Sequence, residues 1–246
     1  ALGLTLIDTA EIYGNGRSEA LVGRAVRELP RESFQLVSKV HPENAGRQHI
    51  FQSCAASLKR LQTDYLDLYL LHWRGNVPLR ETVACMEELV AQGKIRRWGV
   101  SNFDVEDMQE LLETPGGENC AVDQVLYHLG SRGIEYALLP LLAARGIGVM
   151  AYCPLAQAGA VSRTGRGLLR HPLLTQTAAG YGATAAQLLL AFLWRRPGVM
   201  AIPKAASLEH VRENAAAREL RISEEDWARL DAAFPPPDRR VPLDVE

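Results

Sequence analysis

Three ionisable residues stand at the ends of runs that are otherwise apolar. Asp8 ends Leu-Thr-Leu-Ile-Asp, Lys39 ends Leu-Val-Ser-Lys, and His72 ends Leu-Tyr-Leu-Leu-His. An ammonium set in an apolar run is costly unless paired, and Asp8 is the natural counter-ion for Lys39. Tyr13 follows in the loop after Asp8 and can reach the same space. Together these groups can move a proton. A phenol of ordinary pKa ~10 is a poor acid-base group at neutral pH, and a neighbouring ammonium favours its ionised form. Asp8 would hold Lys39 charged and oriented, Tyr13 would exchange the proton, and His72 would hydrogen-bond the substrate oxygen. This suits carbonyl reduction or alcohol oxidation, where one oxygen gains or loses a proton as hydride moves.

A second set lies in Ala-Ile-Pro-Lys-Ala-Ala-Ser, which places Lys204 and Ser207 just before a helix predicted to start near Leu208. Free amides at a helix N-terminus, with a cation beside them, make an anion site suited to a phosphate. Arg212 and Asn214 lie one to two turns further in. Other chemistries lack a pattern. The histidines (His41, His49, His72, His128, His171, His210) show no metal-ligand spacing. No Gly-x-Ser-x-Gly elbow is present.

The elements that must position these residues alternate along the chain. Strands are expected at Leu4–Thr9, Phe34–Val40, Tyr65–Trp73, Arg97–Asn102, Ala121–Tyr127, Gly148–Leu155 and Val199–Lys204. Most are continuous apolar runs, as in strands covered on both faces. Between them, Ser18 is expected to cap a helix over Glu19–Leu29, with Leu21, Val22, Ala25, Val26 and Leu29 on one face. Asp104 is expected to cap a helix through Leu112, and a helix over Pro78–Gln92 to end at Gly93. Strand and helix in repeated alternation mean right-handed βαβ units and a parallel sheet.

Gly14-Asn15-Gly16 and Gly165-Arg166-Gly167 both fall short of the G-x-G-x-x-G of an open dinucleotide-binding sheet. The expected fold is therefore a single-domain parallel (β/α)8 TIM barrel over residues 1–246, with a C-terminal tail at 235–246. In such a barrel the carboxyl ends of the strands form the catalytic face, where Asp8, Lys39 and His72 would converge. Seven strands are one short of a closed barrel, so the first strand and helix are expected to be missing from this sequence.

Composition sets the outer bounds. The length of 246 residues suits one barrel, and 47% hydrophobic with 23% charged residues marks an ordinary globular protein. A net charge of -2 gives no reason to expect nucleic acid or acidic membranes as partners. No apolar run reaches the ~20 residues of a membrane helix. Cys54, Cys85, Cys120 and Cys153 are scattered without C-x-x-C spacing, which suits a reducing cytoplasm, and no signal peptide is visible.

At these residues the sequence resembles the aldo-keto reductase family. The likeness runs from Leu4 to about Phe234 and is carried by Asp8-Thr-Ala-Glu-Ile-Tyr13-Gly14, Ser38-Lys39-Val40, Leu70-Leu71-His72-Trp73, Gly99-Val-Ser-Asn-Phe103 and Ile202-Pro203-Lys204. The resemblance implies that Asp8, Tyr13, Lys39 and His72 are a catalytic tetrad with Tyr13 as general acid. It implies NADP(H) as cofactor, with Ser101, Asn102 and Gln124 on the nicotinamide carboxamide and Tyr152 stacked on the ring. A loop including Pro154, Leu155, Gln157 and Gly159 would cover the pyrophosphate. Ile202, Lys204 and Ser207 would lie toward the adenosine 2′-phosphate, and Glu213 and Asn214 near the adenine. His210 stands where many members place a phosphate-binding Arg, and His is a weaker phosphate partner than bidentate Arg. NAD(H) is therefore a possible second cofactor.

The expected activity is NADP(H)-dependent reduction of a small aldehyde, ketone or sugar-like carbonyl compound by a monomer. Trp73 is expected to wall the substrate pocket, and the short connection from Trp73 to Pro78 implies an open mouth. The tail from Phe234 to Arg240 either folds over the site or hangs free. Two alternatives remain: a regulatory protein that binds NADP(H) without turnover, and an inactive truncated reductase.

Overall fold

The computed structural model describes residues 2–156 and 167–245. The chain gathers into two compact units, Thr5–Asp123 and Gln124–Glu246 with Ala1–Leu4. The described residues hold seven strands: β1 (Leu6–Asp8), β2 (Gln35–Val40), β3 (Leu66–Leu71), β4 (Ile95–Ser101), β5 (Val122–Leu126), β6 (Gly148–Tyr152) and β7 (Val199–Ala201). Their order in the sheet is the order of the chain. The seven strand positions read from apolar runs are all occupied, mostly by shorter strands.

In the unit Thr5–Asp123, β1 to β4 pair in parallel and are linked by α1 (Arg17–Val26), α2 (Ile50–Leu61) and α3 (Leu79–Ala91). Helix α4 (Val105–Glu113) follows β4. Register sets Asp8 opposite Val37 and Lys39 opposite Leu70, which in turn faces Gly99. His72 and Ser101 each lie two residues beyond that row, so the polar residues collect at the carboxyl edge of the strands. Behind them the strands are apolar and covered: Leu36, Val37, Val40, Leu66 and Leu70 have no exposed surface.

Helix α1 departs from its sequence pattern. It starts at Arg17, its cap is Gly16 in a left-handed conformation (φ 81°), and Ser18 lies inside the helix, where its Oγ accepts from Thr9 Oγ1. Leu21 and Leu29 are exposed, and the buried positions are Glu19, Gly23 and Val26. The cause is Glu19, fully buried and paired with a half-buried Arg60. Glu19 accepts from Ser38 Oγ at 2.6 Å and from Arg60 Nε at 2.5 Å, which turns a different face of α1 inward. Helix α4 follows expectation: Asp104 caps it in a capping box with Asp107. Helix α3 is one residue shorter at each end than the expected span.

In the other unit, β6 and β7 pair in parallel, and β5 straddles the boundary between the units. Five helices belong to the described part of this unit: α5 (Leu138–Ala144), α6 (Pro172–Gly180), α7 (Ala185–Trp194), α8 (Leu208–Ala216) and α9 (Glu224–Ala233). Helix α7 is apolar nearly all round and supplies the core with Leu188, Leu189, Leu190, Phe192 and Leu193. The C-terminal tail is tied down within this unit. Ser131 Oγ hydrogen-bonds Asp244, the buried Arg132 donates to Phe234 O at 2.6 Å, and Val241 packs on Gly133. A cleft of about 250 Å³ lies between the tail and Leu129–Gly133.

Candidate active site

At the carboxyl edge of β1 to β3, four side chains from separate segments meet. Lys39 is fully buried on β2, and its Nζ donates to Asp8 Oδ1 at 2.6 Å, to Thr9 O at 2.9 Å and to Tyr13 Oη at 3.4 Å. All three donors of the ammonium are thus engaged, two by acceptors that fix its position and one by the phenol. The ammonium also lies 4.9 Å from the Tyr13 ring centroid. Tyr13 sits after a turn in which its N–H donates to Ala10 O, and 41% of the residue remains exposed.

His72 continues β3, its N–H donating to Val40 O at 3.1 Å. Its ring meets Tyr13 edge-on at 5.5 Å between centroids. Burial, then the Lys39 ammonium and His41, bring the His72 pKa down to about 3, so the imidazole is neutral at physiological pH. Neutral His72 can donate from one ring nitrogen to a substrate oxygen without competing with Lys39 for charge. Trp73 follows with its ring 5.0 Å from His72, and His41 stands edge-on to Trp73 at 4.9 Å. Arg74 spans the short connection, donating to Gly75 O and Val77 O.

Ser101 is buried at the end of β4, and Asn102 takes a left-handed conformation (φ 58°) with its Nδ2 donating to His72 O at 3.2 Å. In the second unit, Gln124 is buried on β5 with its Nε2 3.9 Å from Met150 Sδ. Tyr152 ends β6 half-buried, and Pro154 and Leu155 follow it, both buried. Gln157 and Gly159 lie outside the described residues. At the end of β7, Ile202 and Lys204 lead to Ser207, whose Oγ accepts the His210 N–H at 3.2 Å and caps α8. Lys204, Ser207 and His210 are exposed, Glu213 is half-buried and Asn214 is buried. Among the described residues Lys204 forms no ion pair. An exposed cation beside the amides of a nine-residue helix fits a phosphate.

Three contributors to the site were not singled out from sequence. Thr9 offers its carbonyl to Lys39. Glu11 Oε1 accepts from His41 N–H at 2.6 Å and Asn44 Nδ2 at 3.1 Å, bracing one loop with another. His41 packs on Trp73. Glu11 and His41 were visible only as neighbours of Tyr13 and Lys39, with no periodicity to mark them. Among the described residues, no group of His, Cys, Asp and Glu could hold a metal ion. No helix there is long and apolar enough to cross a membrane.

Comparison with known proteins shows the family of the chain. The model of the aldo/keto reductase family matches residues 1–234. Methylglyoxal reductase YeaE of Escherichia coli (strain K12) is 57% identical over 99% of this chain and 84% of its own length. Glyoxal reductase of Bacillus subtilis (strain 168) is 36% identical over 94% of this chain and 79% of its own length. The crystal structure of an aldo-keto reductase from Klebsiella pneumoniae in complex with NADPH superposes with a TM-score of 0.96. It is 58% identical and covers 100% of this chain and 85% of that one. The fold is therefore the parallel α/β barrel of these enzymes, and the chain belongs to the aldo/keto reductase family.

Proposed function

We propose that this chain reduces small aldehydes and ketones with NADP(H), that 2-oxoaldehydes such as methylglyoxal are its substrates, and that Tyr13 is the general acid. The observation that carries this reading is the Lys39 ammonium, buried and held between Asp8 Oδ1, Thr9 O and Tyr13 Oη. The substrate class is supported by the relatives named above, one a methylglyoxal reductase and another a glyoxal reductase.

When bound, the reduced nicotinamide supplies hydride to the carbonyl carbon. The carbonyl oxygen takes its proton from the Tyr13 hydroxyl, leaving a phenolate beside the Lys39 ammonium. Asp8 keeps that ammonium in place. Tyr13 is exposed enough to regain its proton from water. His72 donates a hydrogen bond that orients the oxygen, and Trp73 walls the pocket. In the unit Thr5–Asp123, Ser101 and Asn102 would serve the nicotinamide carboxamide; in the other unit, Gln124 would serve the carboxamide, Tyr152 the ring, and Pro154 and Leu155 the pyrophosphate. Lys204, Ser207 and His210 would receive the adenosine phosphate beside Ile202, with Glu213 and Asn214 toward the adenine. Lys204 favours NADP(H). His210 in place of a bidentate Arg weakens that preference and leaves NAD(H) as a second cofactor. The cysteines are free thiols, which supports a cytoplasmic location, and we take the protein to act as a monomer.

The test follows NADPH oxidation with a panel of aldehydes and ketones, comparing wild type with Tyr13→Phe. Turnover of wild type with a loss of roughly 10²- to 10⁴-fold in the variant, at unchanged NADPH affinity, is the expected result. Equal rates would remove Tyr13 from the chemistry. NADPH binding without turnover in wild type would replace the enzyme by a sensor.

A further inference from the structure

His41 stands half-exposed against Trp73 with one side of its ring already committed. Its Nδ1 accepts the Glu43 N–H at 3.3 Å, which leaves Nε2 as the ring's donor. Among the described residues Nε2 has no hydrogen-bond partner, and the residue is half-exposed. The ring continues a chain of ring contacts that starts at the proposed acid: Tyr13 to His72 at 5.5 Å, His72 to Trp73 at 5.0 Å, Trp73 to His41 at 4.9 Å.

This position is held from two sides. Glu11, in the segment between Asp8 and Tyr13, donates its N–H to Lys39 O at 3.3 Å and accepts the His41 N–H at 2.6 Å. The loop that carries His41 is thereby locked to the loop that carries Tyr13. On the other side Pro42 lies so close to Gly75 that a Cβ there would come within 2.4 Å of the proline Cβ. The loop after β3, which carries Trp73, therefore seats the same turn.

We propose that His41 is a specificity-determining residue, donating from Nε2 to the second oxygen of a vicinal dicarbonyl substrate. The proposal rests on the reductase reading and deepens it. The oxygen of the carbonyl being reduced is served by Tyr13 and His72. A 2-oxoaldehyde carries another carbonyl oxygen on the adjacent carbon, and a monofunctional aldehyde carries none. A fixed donor beside Trp73 therefore rewards the first class alone, and polar recognition discriminates more sharply than apolar fit. His41 binds a non-reacting oxygen, so its contribution is in selecting and orienting the substrate.

The experiment measures kcat/KM with NADPH for methylglyoxal and for propanal, and reads their ratio in wild type, His41→Phe and His41→Gln. Phe keeps an aromatic ring against Trp73 and loses the donor; Gln keeps an N–H. A wild-type preference for methylglyoxal that falls about 3- to 10-fold in the Phe variant, through a raised KM, supports the proposal, as expected for one neutral hydrogen bond. The Gln variant should recover part of the ratio. An unchanged ratio in the Phe variant, or equal losses on both substrates, overturns the His41 role while leaving the reductase intact. Loss of the ratio in Gln to the same extent as in Phe also overturns it, because the donor would then be irrelevant. Wild type that turns over neither compound, or that prefers propanal, sinks the substrate reading itself and His41 with it.

Discussion

Two titrating residues near the site, one buried and one half-buried, respond to pH in opposite directions. Asp123 is fully buried on β5, and neither carboxyl oxygen makes a full hydrogen bond among the described residues. Burial holds its pKa well above the usual carboxylate range. The nearby Phe103 amide pulls it back, and Asp107 and Asp104 push it up again. A raised native pKa means that the unfolded chain loses this proton first, near ~3.9, so stability falls as pH rises above that value. Asp123→Asn should therefore melt higher than wild type at pH ~7, with the gap closing near pH ~4. An equal gap at both pH values would show that the carboxyl does not titrate this way. His72 has the opposite sign, because its native pKa of about 3 lies below that of the unfolded chain. It costs ~1.4 kcal/mol of stability per pH unit as pH falls from ~6.5 toward the native value. Urea titrations of wild type and His72→Gln across that window should differ in slope. The same neutrality predicts that no inflection of kcat/KM between pH ~5 and ~7 belongs to His72. An inflection lost in His72→Gln would contradict it. The sequence exposed Asp8, Lys39 and His72 because charge at the end of an apolar run is conspicuous. Asp123 stands near the start of the run Val-Asp-Gln-Val-Leu rather than at its end, so that pattern does not mark it.

At the scale of elements, strands were easier to place than helix faces. A strand covered on both sides needs only a continuous apolar run, and β2 and β3 are such runs. A helix face depends on what lies opposite, and α1 shows the consequence. Its apolar leucines point outward because Glu19 must reach Ser38 and Arg60, and because Gly23 lets α1 approach the end of α2. A Cβ at Gly23 would stand 2.5 Å from Arg60 O and 2.9 Å from Leu61 Cα, both backbone atoms that cannot swing aside. Gly23→Ala should therefore destabilise the protein by about 1–3 kcal/mol, more than the 0.5–1 kcal/mol (approximate) that Ala gains in a helix. A denaturation midpoint that rises in this variant would mean that α1 can shift freely. The cap of α4 was legible because Asp104 and Asp107 satisfy a purely local rule. Asp104→Ala should cost about 1 kcal/mol in the same titration, and no change would mean that the helix start is held by packing alone.

For the whole molecule, composition and charge gave only exclusions, and cofactor binding is where the chain as a unit can be tested. A ligand that binds only the native state at 100 times its Kd adds about 2.7 kcal/mol of stability. For a chain of this size that is a rise of about 5–11 °C in Tm. Lys204 stands exposed before the capped start of α8, without an ion pair among the described residues, and His210 lies in the first turn. In the proposed site a 2′-phosphate would gain the lysine charge and the helix amides, and NADH lacks that group. At equal concentration NADPH should therefore raise Tm more than NADH, while NADH still gives a measurable shift. Lys204→Ala should shrink the NADPH shift toward the NADH value and leave the NADH shift as it was. His210→Arg should widen the gap, since it would set a bidentate, permanently charged partner beside the phosphate. Equal shifts for the two cofactors in wild type would remove Lys204 and Ser207 from phosphate recognition. A Lys204→Ala variant that loses both shifts alike would assign the lysine to the shared part of the cofactor instead.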